Sequence, residues 1–95
     1  MAADEPVQQA QLEIINRLGL HARAAARFVA VASEHDADIE VRCNDNQANG
    51  KSIMGLMMLA AARGSCLTVT ARGSDAAQAL EALAALIAER FGEAD

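Results

Sequence analysis

The sequence predicts an α+β fold in which three helices cover one face of a four-stranded antiparallel sheet. Three segments alternate apolar and polar residues, as half-buried strands do, two others repeat apolar residues at helical spacing, and an apolar run between two capping residues predicts a third helix. The chain has 95 residues, of which 53% are hydrophobic, so it forms one globular domain. The predicted elements follow the order β-α-β-β-α-β-α. Placing every helix on the same face of the sheet is the simplest arrangement for them.

The chain begins with a segment that shows neither pattern. Residues 1–10 are polar, rich in alanine and interrupted by Pro6, which predicts a mobile tail. A single domain is expected over residues 11–95. Residues 11–15 alternate, which predicts the first strand.

A helix and a hairpin are expected after the first strand. Residues 22–33 repeat apolar residues at helical spacing, and residues 38–43 show the most regular strand alternation. Asn-Asp-Asn at residues 44–46 favours a hairpin turn, with a short return strand near residues 47–48. The predicted buried stripe of the helix consists of Ala22, Ala25, Ala26, Val29 and Ala30.

The second half of the chain predicts a helix, a strand and a longer helix. Ser52 is a good helix N-cap and Gly64 a good C-cap, so the middle helix is expected over residues 53–63. Residues 66–71 alternate and predict the fourth strand. Ser74 is expected to cap the last helix, which runs to about residue 90. Its predicted buried stripe consists of Ala76, Leu80, Leu83 and Ile87.

Composition argues against several classes of function. The net charge of −5 disfavours binding to nucleic acid or acidic membranes, and Phe28 and Phe91 are the only aromatic residues available for base stacking. The longest apolar run, residues 53–62, is too short to cross a bilayer. Cys43 and Cys66 form no metal-binding spacing. We expect both cysteines to be buried and reduced, in a cytoplasmic protein without metal or cofactor.

His21 stands where a helix would ordinarily begin with a capping Ser, Asp or Thr. Arg17, Arg23 and Arg27 lie close to it in the sequence. Guanidinium groups and the free N–H groups of a helix N-terminus bind anions, and the positive end of a helix keeps an imidazole neutral and nucleophilic. The pattern therefore favours a histidine that accepts a phosphoryl group. The alternative is that His21 only caps the helix and the arginines are solvated.

The middle helix is unusual because Ile53 to Ala62 includes no charged or polar side chain and holds three of the four methionines. A helix on a sheet buries only one stripe, so part of this helix must face water or a partner. Flexible thioethers suit a surface that docks partners of different shape. We therefore predict a docking surface, the alternative being a helix buried on all sides.

Gly50, Lys51 and Ser52 look like the end of a phosphate-binding P-loop, but that motif needs a glycine where Asp45 stands. The simplest role of Ser52 is to cap the middle helix. A cap serine beside an apolar surface can also act as a switch. Phosphate would suit the helix N-terminus, while its charge would disrupt apolar docking.

Residues 19–23 read Gly-Leu-His-Ala-Arg, and residues 51–55 read Lys-Ser-Ile-Met-Gly. These two motifs resemble those of the HPr family, the histidine-containing phosphocarriers of the bacterial phosphoenolpyruvate-dependent phosphotransferase system. The resemblance extends from about residue 12 to residue 91 and implies an open-faced β-sandwich with the element order given above.

The resemblance implies a stoichiometric, monomeric carrier and not a turnover enzyme. Enzyme I would pass the phosphoryl group of phosphoenolpyruvate to Nδ1 of His21, beside Arg23, and sugar-specific or regulatory acceptor proteins would receive it. Ser52 would be the regulatory serine, modified by a dedicated kinase. The expected partner-binding face consists of Arg17, Ala24, Arg27, Lys51, Ile53, Met54, Leu56 and Met57.

Ala24 departs from the family pattern, which usually has proline after the arginine. Proline in the first turn pre-sets the backbone, so alanine loosens the start of the helix without removing the histidine chemistry. Two alternatives stay open. One is a carrier of the nitrogen-regulation branch, and the other is a regulatory binding module that acts through phosphorylated Ser52 while His21 is idle.

Overall fold

The computed structural model describes residues 5–95, so residues 1–4 of the predicted tail lie outside the described part. The predicted order of strands and helices is confirmed, and a short left-handed turn, Arg90–Gly92, follows the last helix. The elements are β1 (Val7–Glu13), α1 (Ala22–Ala32), β2 (Asp38–Cys43), β3 (Asn46–Asn49), α2 (Ile53–Met57), β4 (Cys66–Arg72) and α3 (Ala76–Ala88).

The four strands form one antiparallel sheet in the order β1-β4-β2-β3. The alternation predicted for β2 is confirmed, since Ile39, Val41 and Cys43 are buried while Glu40 and Arg42 are exposed. A strand with one buried and one polar face needs cover on one side only. The predicted α+β fold, a four-stranded antiparallel sheet with three helices, is therefore confirmed.

The helices close the core over the apolar face of the sheet. Helix α3 contacts β1 and β4, and α1 packs against both α2 and α3. The two aromatic residues, Phe28 of α1 and Phe91 after α3, are both fully buried and supply bulk that the small aliphatic side chains lack. The largest fully buried apolar side chains are Phe28, Phe91, Ile14, Leu56, Leu67, Leu83, Val41 and Val69.

The predicted tail is too long, because residues 7–10 belong to β1. This strand pairs with β4 along its whole length, from Val7 opposite Arg72 to Glu13 opposite Cys66. Its first residues are exposed and show no alternation. Backbone hydrogen bonds to β4 hold this edge strand in the sheet. Because its first residues form no apolar face, the hydrophobic pattern of the sequence does not predict them as a strand.

The buried face of α1 also differs from the prediction. Ala22 and Ala30, both placed in the buried stripe, are exposed. Alanine is equally apolar on every side of a helix, so the large side chain of Phe28 decides which face is buried. The buried residues of α1 are Ala24, Ala25, Phe28 and Ala32.

Helix α2 ends at Met57 and not at residue 63. The chain leaves the helical conformation by Ala60, which has a φ of 52°. Gly64 does not cap the helix but donates its N–H to the carbonyl of Ile14 at 2.7 Å in the connection to β4. The apolar run of the sequence continues beyond the helix because the loop between α2 and β4 also contains buried residues, Leu59 and Ala61.

The N-cap of α3 is Asp75, although Ser74 was predicted. The Asp75 carboxylate makes no cap bond to its own helix and instead accepts the N–H groups of Asp36 and Ala37, at 2.9 and 2.8 Å. These hydrogen bonds, that from Asp36 above all, hold the pKa of Asp75 below its ordinary value. The buried stripe predicted for α3 is confirmed, with Ala79 in addition.

Both cysteines are free, but they differ in exposure. Cys43 is buried as predicted, whereas Cys66 is exposed. Cys66 is the first residue of β4, and the alternation of that strand directs Leu67 into the core and leaves Cys66 outside.

Candidate functional site

His21 is the N-cap of α1, with extended backbone at φ −78° and ψ 179°. Its carbonyl accepts the N–H of Ala25 at 2.8 Å. Its ring makes no hydrogen bond to the helix, so the simpler interpretation, in which the side chain caps α1, is wrong. The N–H groups of the first turn therefore lack a capping side chain. The ring is 28% exposed, which leaves it accessible from solvent.

A carboxylate from the segment after α3 contacts the ring. Nε2 of His21 lies against Oε2 of Glu93, 72 residues away in sequence. The other oxygen of Glu93 accepts a hydrogen bond from Nδ2 of Asn16 at 3.0 Å, and Nδ2 also donates to the carbonyl of Gly19 at 2.8 Å. Sequence reasoning missed both Asn16 and Glu93, since neither belongs to a motif or to a periodic pattern.

The surroundings of Glu93 favour its charged form. Burial by itself raises the pKa of Glu93, but hydrogen bonds from Asn16 and His21 and the positive charges of His21 and Arg27 outweigh burial and lower the pKa below its ordinary value. Glu93 is thus an anion that accepts the Nε2 hydrogen of the ring. In the neutral ring, the lone pair then lies on Nδ1.

The three arginines that lie close to His21 in the sequence have different surroundings. Arg17 lies 3.8 Å from the carboxylate of Asp95, and the guanidinium of Arg27 donates to the carbonyl of Phe91. Arg23 is exposed in the first turn of α1 and has no ion pair within residues 5–95. Arg23 is therefore the one of the three arginines that has no such contact within residues 5–95 and is left open to an anion.

Only some of the residues predicted for the partner-binding face are exposed. Leu56 and Ala24 are fully buried and cannot contact a partner. In a single helical turn that packs on a core, one position must face inward, and in α2 that position is Leu56. Met58, which was not predicted for this face, is 76% exposed. The apolar patch therefore consists of Ile53, Met54 and Met57 of α2 and of Met58, which directly follows the helix.

Ser52 and Lys51 lie at the start of α2. The predicted cap is confirmed, because Oγ of Ser52 accepts the N–H of Gly55 at 3.0 Å. The ammonium group of Lys51 donates to the carbonyl of His35 at 2.8 Å. Lys51 is therefore tied to the loop after α1 and is only half-exposed.

Two further features of residues 5–95 bear on function. No helix in this range has the length and apolar character needed to span a bilayer. In the same range, no three His, Cys, Asp or Glu side chains are grouped so that they could hold a metal ion.

Comparison with known proteins gives consistent matches. The family model PTS-HPr, "PTS HPr component phosphorylation site", matches residues 8–89. The chain is 51% identical over 84 residues to phosphocarrier protein HPr of Neisseria meningitidis serogroup A, covering 88% of this chain and 94% of that protein. It is 43% identical over 84 residues to phosphocarrier protein NPr of Shewanella violacea, covering 88% of this chain and 92% of that protein. The crystal structure of HPr-C-His from Thermoanaerobacter tengcongensis superposes with a TM-score of 0.87 and 42% identity, covering 90% of this chain and 97% of that one.

Proposed function

The chain belongs to the HPr family of phosphocarrier proteins, and we propose that the atom that carries the phosphoryl group is Nδ1 of His21. One observation supports this choice above others. Glu93 engages Nε2, so Nδ1 is the ring nitrogen without a partner within residues 5–95. The same residue is the N-cap of a helix whose first turn lacks a capping side chain.

The proposed step needs no group beyond the donor and this chain. The lone pair of Nδ1 attacks the phosphorus, a P–N bond forms, and the bond between phosphorus and the donor breaks with its electron pair leaving on the donor. The first-turn N–H groups and the guanidinium of Arg23 stabilise the phosphoryl oxygens. The reverse chemistry, with an acceptor protein as nucleophile, returns His21 to its starting state.

The proposed donor is enzyme I, and sugar-specific or regulatory proteins are the proposed acceptors. The protein then acts in the cytoplasm as a monomeric, stoichiometric carrier and not as a turnover enzyme, because the phosphoryl group rests covalently on its own side chain. Helix α2, which carries most of the apolar patch, packs against α1, the helix that begins at His21. An exposed apolar surface on the neighbouring helix suits docking of both partners.

Ser52 is proposed as a site of regulatory phosphorylation by a serine kinase. It is the residue immediately before the apolar patch, and its side chain is half-exposed. A phosphate there would place charge at the edge of an apolar docking surface, and desolvating that charge would weaken binding. A carrier of the nitrogen-regulation branch is the second candidate function, supported by the similarity to NPr.

The test is incubation with phosphoenolpyruvate and enzyme I, followed by measurement of acid-labile phosphate on the protein. Wild type is expected to gain one phosphoryl group, and His21→Ala none. His35→Ala is the matched control, because His35 is the only other histidine and its Nδ1 already lies 3.1 Å from the carbonyl of Val31. Equal labelling of the His21→Ala variant would overturn the proposal. Transfer to sugar-specific or to nitrogen-regulatory acceptors then separates the two branches.

A further inference from the structure

The segment that brings Glu93 to the ring is held in an unusual backbone conformation. Arg90, Phe91 and Gly92 have consecutive positive φ values of 57°, 55° and 80°. Left-handed conformations cost energy in residues other than glycine, and they persist only where surrounding contacts impose them. The contacts here are the burial of Phe91 and the hydrogen bond from Arg27 to its carbonyl. This segment is therefore fixed to the core close to Glu93.

Asn16 fixes the carboxylate from the other side. It is the only fully buried polar side chain within residues 5–95. Its two amide hydrogens point to Gly19 and Glu93, while its Oδ1 has no hydrogen-bond partner. A buried acceptor without a partner is costly, so this amide orientation is maintained by its two donated bonds. One of these bonds leaves the second oxygen of Glu93 directed at His21.

We propose that Glu93 is a positioning residue, which keeps the proton of His21 on Nε2 and the lone pair on Nδ1. This inference rests on the proposed function of His21 as the carrier. When Nδ1 forms the P–N bond, the Nε2 proton stays in place and the ring becomes a cation, whose charge the carboxylate balances. When the phosphoryl group leaves, the electron pair of the P–N bond returns to Nδ1 and no proton has to move.

The substitution Glu93→Gln tests this arrangement sharply because of Asn16. The amide of Asn16 will donate to the oxygen of the new side chain, which leaves the –NH₂ group facing Nε2 of His21. A donor at this position favours the tautomer with the proton on Nδ1, where the nucleophilic lone pair is then lost. Loss of a carboxylate that orients a functional histidine typically costs about tenfold or more in activity.

Two measurements test the inference. The first is the ¹⁵N NMR spectrum of the unphosphorylated ring, which reports the tautomer without any phosphoryl transfer. Wild type is expected to carry the proton on Nε2 and Glu93→Gln to move it toward Nδ1. The second is the rate of phosphorylation by enzyme I. We expect the maximal rate to fall about tenfold in Glu93→Gln, with little change in the half-saturating concentration, since the apolar patch is untouched.

Asp95→Asn is the matched control, because it removes the same charge from an exposed side chain close to Glu93 in the sequence. It is expected to leave both the tautomer and the rate unchanged. Glu93→Ala, which offers the ring neither donor nor acceptor, is expected to slow transfer without enforcing the wrong tautomer.

The outcomes are distinguishable. A Glu93→Gln protein with the wild-type tautomer, or one that is phosphorylated as fast as wild type or faster, would overturn the positioning role. Failure of wild type to be labelled on His21 would overturn the proposed function instead. The NMR comparison would still decide whether Glu93 sets the tautomer.

Discussion

The hydroxyl of Ser52 accepts a hydrogen bond from the backbone N–H of Gly55 at 3.0 Å, and this bond caps α2. The same short helix carries most of the apolar patch. Ser52 therefore affects two properties that can be measured separately. One is the stability of α2, and the other is the polarity at the edge of the apolar patch, which is the proposed docking surface.

Substitutions at Ser52 are expected to separate these two effects. Ser52→Ala removes the cap and should lower the free energy of unfolding by about 1 kcal/mol, whereas Ser52→Asp retains an acceptor for the N–H of Gly55 and should stay close to wild type. Urea unfolding measures this difference. The affinity for enzyme I, measured by calorimetry, should show the reverse order of the two variants, because Asp introduces charge and Ala does not. Wild-type affinity in Ser52→Asp would contradict a charge switch at this position.

Met54 and Leu56, two residues apart in α2, are expected to respond in opposite ways. Met54 is 72% exposed, so Met54→Glu should weaken partner binding while changing the free energy of unfolding by no more than about 0.5 kcal/mol. Leu56 is fully buried, and Leu56→Ala should cost about 2–5 kcal/mol. Thermal unfolding and binding to enzyme I are the measurements. A large fall in melting temperature for Met54→Glu would show that its side chain belongs to the core.

Much of the fold can be predicted from the sequence because the spacing of apolar residues indicates which positions of a strand or helix are buried. The alternation of β2 is an example, since every inward residue was identified from periodicity alone. The length of α2 was not predictable in this way, because the apolar run continues into a loop that is itself buried. Apolar composition indicates burial but not backbone conformation. The positive φ of Ala60, where the chain is no longer helical, therefore could not be predicted from the residue type.

The candidate site was predictable only where it is local in sequence. His21 was found because it stands at a helix start beside Arg23, and that neighbourhood lies within a few residues. The contact with Glu93 depends on how the chain turns after α3 and on Asn16, which is buried beneath it. No periodic pattern encodes a contact between residues so far apart, and the tertiary structure was needed to reveal it.

Reversal of the charge at Arg23 is expected to impair phosphoryl transfer more than folding. In the proposed site Arg23 is the guanidinium open to an anion, so Arg23→Glu should reduce the rate of phosphorylation by about a hundredfold. An acid in the first turn of a helix interacts favourably with the helix dipole, so stability should not fall. The control is Arg72→Glu, an exposed arginine at the end of β4, which should leave the rate unchanged. Equal rates for the two variants would mean that Arg23 does not contact the phosphoryl group.

The stability of the protein is expected to depend on pH through Asp75. Its carboxylate binds the backbone of Asp36 and Ala37, and these bonds lower its pKa in the folded state below the ordinary value of 3.8. A depressed pKa contributes stability that is present above the unfolded pKa and is lost as the pH falls through the folded one. Asp75→Asn should therefore be less stable than wild type at pH 7, and the difference should shrink as the pH falls below about 4.

Urea unfolding of both proteins at pH 7, 4 and 2.5 measures this convergence. Glu93 also has a lowered pKa, but it is intact in both proteins, so its contribution cancels in the comparison. Asp38→Asn is a useful control, since Asp38 is an exposed acid whose carboxylate makes no hydrogen bond within residues 5–95. A difference between wild type and Asp75→Asn that stays constant with pH would show that Asp75 stabilises the loop by shape and not by charge. A difference near zero at every pH would mean that a neutral amide oxygen satisfies the two backbone N–H groups as well as a carboxylate does.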